Sequence, residues 1–230
     1  MKYNICGLNV YCDFRFPTMT ARAEKYRSDF AGKADITVPH TTDVSALKAN
    51  NPALTEDDFE IITTAESFYN SLIPHGGFML HASAVVLDNR AYLFSAPSGT
   101  GKSTHTAQWL KLFPTARILN DDKPAILLSE SISACGTPWS GKSDLNINLN
   151  IPLQGICVLE RAEKNFIHPM PPDEAVFALL NQTIRPTDES RMSALLKHID
   201  RVVNEIGIFR MGCNISLEAA QIAFNAMSQQ

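Results

Sequence analysis

AYLFSAPSGTGKSTHTAQWLKLF, residues 91–113, is the stretch from which the rest of the chain can be read. Ala91–Ser95 is a short apolar run suited to a buried strand. Ser103–Phe113 carries Ala107, Leu110 and Phe113 at helical spacing until Pro114 stops it. Between them Gly99 and Gly101 let successive backbone N–H groups turn inward. A strand, a glycine loop and a helix start, in that order, form an anion site, because the helix offers unpaired amides and the positive end of its dipole to a phosphate. Pro97, Ser98, Gly99, Thr100, Gly101, Lys102, Ser103 and Thr104 are therefore expected to bind a nucleotide. Lys102 would reach the β- and γ-phosphates and the Ser103 hydroxyl would take Mg²⁺. Ala96 stands where the strict pattern has its first glycine. That is a mild departure, since the place needs a small side chain more than a positive φ.

A second stretch, GTPWSGKS at 136–143, fits the strict phosphate-loop pattern better in letters and worse in context. It is followed by DLNINLN, in which Leu145, Ile147 and Leu149 alternate with Asn146, Asn148 and Asn150; that period of two predicts a strand over 144–150. With no helix behind the loop its amides have no reason to converge on an anion. The stretch is expected to border the same site instead, where Trp139 and Lys142 are candidates for recognising an acceptor. The alternative is a Trp packed on the domain and an exposed Lys.

Outward from these loops the chain alternates strands and helices. FMLHASAVVL (78–87) predicts a strand that turns at Asp88–Asn89 into Ala91–Ala96, and ARILND (116–121) predicts another ending in Asp121 and Asp122. A hairpin is expected around Glu130, then strands at 153–160 and in IGIFRM. Helices are expected at 55–73 (capped by Thr55), 173–183, 187–206 and 216–227. The fold class is α/β, a mixed β-sheet flanked by helices. Residues 55–230 form the main domain, and 1–54 form a small segment of strands and loops packed on it. In phosphate-loop enzymes an acid at the end of a neighbouring strand holds Mg²⁺, and Asp121–Asp122 stands at that place. Arg185 is a candidate phosphate clamp, with a surface salt bridge as the equal alternative.

The chain has 230 residues with 20 basic and 24 acidic side chains, a net charge of −4. No basic footprint points to nucleic acid. No apolar run is long enough for a membrane span, and the first residues do not read as a signal peptide. The five cysteines are odd in number and lack CxxC spacing, which argues against a disulfide framework or a zinc site. The expectation is a cytoplasmic protein with reduced thiols. Its oligomeric state is left open, with a homo-oligomer among the choices.

Three elements taken together resemble the superfamily of HPr serine kinases and ATP-type phosphoenolpyruvate carboxykinases: His81-Ala82-Ser83-Ala84, the SGTGKS of residues 98–103, and Asp121-Asp122. The resemblance covers roughly residues 81–160 and implies a P-loop kinase fold. It implies that Lys102 neutralises phosphate charge, that Asp121 accepts the proton of the attacked hydroxyl, and that Asp122 with Ser103 binds the metal. His81 would stand beside the acids, tuning Asp121 in a kinase or binding a second metal in a carboxykinase. The implied activity is ATP- and Mg²⁺-dependent phosphorylation (Mn²⁺ as the alternative metal) of a hydroxyl on a protein or small molecule. Carboxykinase-type chemistry on oxaloacetate and a nucleotide-binding regulatory module without turnover are the rivals. The chain is shorter than a carboxykinase, and it has CGTPWSGK where HPr kinases carry EIRGxG, so the acceptor is not implied.

Overall fold

The structure, a computed structural model, describes residues 1–41 and 44–229. It begins with a hairpin, β1 (Lys2–Ile5) and β2 (Leu8–Cys12), which turns through Cys6 and Gly7, both at positive φ. The polar stretch after it holds α1 (Pro17–Ala23), a short 3₁₀ turn at Glu24–Tyr26, β3 (Ile36–Val38), which pairs parallel to β2, and α2 (Ser45–Asn50). Next comes α3 (Glu56–Leu72). Its start is fixed by a capping box: the Thr55 hydroxyl accepts from Asp58 N, and the Asp58 carboxylate accepts from Thr55 N. α3 buries Phe59, Ala65, Phe68, Tyr69 and Leu72, while Ile62 is exposed.

The main sheet is built from β4 (Gly77–Met79), β5 (Ala82–Leu87), β6 (Arg90–Ser95), β7 (Arg117–Asn120), β8 (Ala125–Leu128), β9 (Ile132–Cys135), β10 (Asn150–Arg161), β11 (Phe166–Pro169) and β12 (Gly207–Cys213). Four helices complete the chain: α4 (Lys102–Leu112), α5 (Pro172–Leu180), α6 (Glu189–Glu205) and α7 (Leu217–Met227). The long β10 joins two parts of the sheet. Its first residues pair antiparallel with β9 and so with β8 and β4; its remainder lies parallel between β6 and β12. β5 and β7 continue the sheet beyond β6, each antiparallel to β5's neighbour or to β5 itself, and β11 closes the other edge on β12. The sheet is mixed and covered on both faces. Ala175 and Leu179 of α5 and Leu195, Ile199 and Val202 of α6 pack on one face; Trp109 of α4 and Ala219, Ala220, Ala223 and Met227 of α7 pack on the other.

Two expectations are corrected here. The run 78–87 is not one strand, because β4 pairs with β8 and β5 with β6 and β7, and Leu80–His81 forms the step between them. The alternating stretch 144–150 is not a strand either; before β10 it makes a single bridge, Asn120 to Asn146. Its burial does not follow the alternation. Leu145 and Leu149 are exposed, while Asn146 is buried with its amide oxygen accepting from Tyr26 Oη at 2.9 Å and its nitrogen donating to Ser140 Oγ at 2.9 Å. Hydrogen bonds to the preceding loop decide the side-chain directions there, not burial of leucines.

Candidate functional site

Strand direction gathers the site. β6 runs parallel to β10 and β12, so the carboxyl ends of all three open on one edge, where open α/β sheets bind ligands. β5 runs antiparallel to β6, which sets the start of β5 beside the end of β6, with Ala82 opposite Ser95. β7 in turn is antiparallel to β5, with Asn120 opposite Ala84. His81, the 96–101 loop and Asp121–Asp122, far apart in sequence, therefore meet at one edge.

The glycine loop has the backbone expected of it. Gly99 and Gly101 have φ of 78° and 125°, and a Cβ on either would meet nothing within 4 Å. Glycine is needed there for its conformation, not for space. The Pro97 carbonyl accepts Thr100 N–H at 3.2 Å and closes the turn. The first helical bond of α4 is His105 N to Gly101 O, and Gly101 brings no side-chain cap. The amides of Lys102, Ser103 and Thr104 are thus left without helical acceptors, the group an anion would take up. One contact was not anticipated from sequence: Arg161, at the end of β10, donates through Nη2 to Gly99 O at 2.5 Å and through Nε to Thr100 O at 3.2 Å.

Lys102 folds back over the loop and donates to Ala96 O at 2.9 Å; its Nζ lies 3.1 Å from His81 Nε2. Burial pushes its ammonium below the usual lysine range, with Asp122 opposing the shift. His81 Nδ1 faces Gln182 Oε1 at 3.1 Å, and its Nε2 is also 3.2 Å from Asp122 Oδ1. His81 therefore meets Asp122 and Lys102, not the Asp121 it was expected to tune.

The two acids sit in opposite environments. Burial raises the Asp121 carboxyl above the ordinary carboxylate range; the Gly141 amide, donating to Oδ1 at 2.6 Å, pulls against it, and the Asp122 charge adds to the rise. Burial would raise Asp122 too, but the hydrogen bond from His81 and the Lys123 ammonium on its carboxylate outweigh that and hold it well below its usual value. Asn120 orients the pair: its buried Oδ1 accepts from Asp122 N at 2.9 Å and Lys123 N at 2.7 Å, while its Nδ2 donates to Thr137 O. An Asn opening a turn in this way was a legible signal in the sequence.

The 136–143 stretch borders the site, and its glycines answer to packing. A Cβ on Gly136 would lie 1.8 Å from Ile147 O, and one on Gly141 would lie 3.1 Å from Asp121 Oδ2. Trp139 is fully buried, stacked on Phe68 at 4.7 Å, and its Nε1 donates to Thr64 Oγ1 at 3.1 Å. As a candidate for contact with an acceptor it is corrected: core packing turns it away from the edge. Lys142 is exposed and lines the cavity beside the acids. Arg185 is exposed between α5 and α6 and is not among the residues lining that cavity.

Two of the cavities that border the glycine loop bear on its chemistry. One of about 400 Å³ holds His81, Lys102, Ser103, Asp121, Asp122, Gly141, Lys142 and Ser143 in its wall. The other, about 520 Å³, opens on the far side against Thr104, His105, Arg161, Cys213, Asn214 and Ile215. His105 is buried there with its titration pushed down to about 4 by burial. Its Nε2 accepts from Trp109 Nε1, so Nδ1 carries the hydrogen, and that atom is without a partner among the described residues. Among the described residues no three His, Cys, Asp or Glu side chains cluster to hold a metal on their own. Nor is any helix long and apolar enough to cross a membrane.

No curated protein matches this sequence. Among solved structures, the Hpr(Ser) kinase/phosphatase from Coxiella burnetii is similar over 64% of this chain and 93% of its own, at 13% identity and a TM-score of 0.37, values too low to carry any of that enzyme's chemistry to this chain. The family model described as "SynChlorMet cassette protein ScmC" matches residues 51–216, which span the glycine loop, both acids and the Gly141 turn. The chain belongs to the family of SynChlorMet cassette proteins ScmC.

Proposed function

We propose that the protein is an ATP-dependent phosphotransferase that moves the γ-phosphoryl group to a hydroxyl acceptor. The observation that carries this reading is the meeting, in one cavity, of an uncapped helix start, a lysine and two carboxylates driven apart in proton affinity. Phosphoryl transfer asks a protein for positioning and charge neutralisation more than for covalent chemistry. The amides of residues 102–104 and Lys102 would take the phosphate oxygens, which requires Lys102 to exchange its bonds to Ala96 O and His81 for bonds to the ligand. The nucleoside end would lie in the larger cavity behind the glycine loop, beside Arg161 and the free Nδ1–H of His105.

Asp121, with its raised proton affinity, fits the base. It takes the proton of the acceptor O–H, the acceptor oxygen bonds to the γ-phosphorus, and the bond to the β–γ bridging oxygen breaks to release nucleoside diphosphate. Ser103 and Asp122, a hydroxyl and a carboxylate held ionised in the same cavity, are a donor set suited to Mg²⁺ once phosphate oxygens and water supply the other ligands. Such an ion would neutralise charge on the phosphates. His81 would then hold Asp122 in place.

The test is incubation with labelled ATP and Mg²⁺ with hydroxyl acceptors, in parallel with oxaloacetate and Mn²⁺. Label transfer to a hydroxyl supports the proposal, and product from oxaloacetate alone would replace it with carboxykinase-type chemistry. ATP binding with no turnover would reduce the protein to a regulatory module. Lys102→Ala should weaken ATP binding or turnover at least about 100-fold, the scale of losing one charge-stabilising donor.

A further inference from the structure

The N-terminal layer lies largely outside the segment that defines the family, and its sequence points to no function, yet it reaches the site. Arg22, on the last turn of α1, donates through Nη1 to Ser140 O at 2.9 Å and through Nη2 to Gly141 O at 3.0 Å, across 118 and 119 residues of chain. Its Nε lies 3.6 Å from Asp144 Oδ1, and its side chain is only 13% exposed. The Ser140 carbonyl and the Gly141 N–H belong to one peptide group. That N–H is the donor to Asp121 Oδ1 at 2.6 Å. The arginine fork therefore holds the oxygen end of the peptide plane whose nitrogen end holds the carboxylate. A cation on the carbonyl also strengthens the N–H as a donor, because hydrogen bonds in a chain polarise one another.

The same layer fixes the far end of the turn. Lys25 Nζ donates to Asn146 O at 3.1 Å and Tyr26 Oη to Asn146 Oδ1 at 2.9 Å, so the segment from Ser140 to Asn146 is clamped at both ends. Between the clamps, Lys142 and Ser143 face the cavity. The guanidinium is doubly bonded to backbone and does not line that cavity, so its effect on the chemistry is indirect.

We propose that Arg22 is a positioning residue for the transfer step: it orients the Ser140–Gly141 peptide and, through it, Asp121 and the acceptor side of the cavity. This rests on the phosphotransferase reading above. Arg22 belongs to the acceptor side, not the nucleotide side, since its contacts lie on the 140–144 turn and none is with the glycine loop. An error of about 1 Å in such a position costs up to about 100-fold in rate.

The experiment compares parent, Arg22→Gln, Arg22→Lys and Lys25→Met. Each is measured for thermal unfolding, affinity for a fluorescent ATP analogue with Mg²⁺, steady-state ATP hydrolysis with water as acceptor, and amide exchange resolved at Gly141. Arg22→Gln should keep nucleotide affinity within about 2-fold, lose about 10- to 100-fold in kcat with KM for ATP unchanged, and exchange the Gly141 amide faster. Arg22→Lys, which keeps the charge and loses the fork, should fall between it and the parent, and millimolar guanidinium should restore part of the Arg22→Gln rate. Lys25→Met, one clamp removed at the far end, should lose less. Unchanged Gly141 exchange, or equal loss of ATP affinity and kcat, overturns the proposal in favour of a merely structural arginine. A parent protein that binds no ATP refutes the phosphotransferase reading instead, and the Gly141 exchange still decides whether Arg22 holds that peptide.

Discussion

Asp121 and Asp122 are neighbours in the chain and opposites in their surroundings. Asp121 has burial and a like charge against its ionised form, set against backbone amides of which Gly141 is the foremost. Asp122 has His81 and Lys123 for it. The linkage signs follow. A carboxyl raised on folding stabilises the fold below its unfolded value, near 3.8, and loses that contribution as pH rises through the folded value. A carboxyl lowered on folding stabilises above 3.8 and loses its contribution as pH falls below it. In the protein free of nucleotide and metal at pH 7, Asp121→Asn should therefore leave the melting temperature unchanged or raise it, while abolishing transfer. Asp122→Asn should lower stability by about 1–3 kcal/mol, the range for a hydrogen bond to a charged group. Paired melts at about pH 7 and about pH 3 check both, and the Asp122→Asn deficit should shrink at the lower pH, which lies below the unfolded carboxyl value. That Asp121–Asp122 ends a strand was visible in the sequence. Which acid gains a proton more readily was not, because the deciding groups, Gly141, His81 and Lys123, include two that only folding brings near.

Among elements, the passage from β6 through the glycine loop into α4 is legible because its determinants are local. An apolar run, two glycines and the Pro114 stop each act within a few residues, whereas the stripe read from Ala107, Leu110 and Phe113 is not the buried face of α4: Leu110 is exposed, and His105, Thr106 and Trp109 are buried. The 136–143 stretch shows the limit of letters alone: the same residue types arise where Gly136 and Gly141 are forced by close approach of backbone and carboxylate. Substitution separates the two causes. Gly99→Ala meets no atom but must hold a φ of 78°, so it should cost about 1–2 kcal/mol and weaken ATP binding. Gly136→Ala would set a Cβ 1.8 Å from a carbonyl oxygen, so it should destabilise by more than Gly99→Ala, with a direct loss of folded protein. Chemical denaturation of both variants orders them.

At the scale of the molecule, the N-terminal layer has no separate apolar cluster among the described residues. Tyr3, Ile5, Val10 and Met19 share one apolar cluster with Phe68, Leu72 and Trp139 from the main body, and Glu60 of α3 accepts from Arg15 N at 2.7 Å and Phe16 N at 3.1 Å. We expect residues 1–54 and 55–230 to unfold in one calorimetric transition, since neither part can leave without exposing the shared cluster. Trp139→Ala should lower stability by about 3–5 kcal/mol, the range for deleting a large buried aromatic, and shift that single transition without splitting it.

By itself the sequence determined the α/β class, the glycine loop, the capped α3 and the acidic strand end. Each follows from side-chain periodicity, backbone freedom or capping within a few residues, and those forces act before any long-range contact exists. Tertiary structure alone decided that His81 faces Asp122, that Trp139 is core, that Asn146 is buried while its leucine neighbours are not, and that Arg22 reaches Gly141 across 119 residues. These depend on which strands pair and in which direction. A local pattern cannot carry that information, because burial and hydrogen-bond satisfaction are settled by partners that the chain supplies from elsewhere.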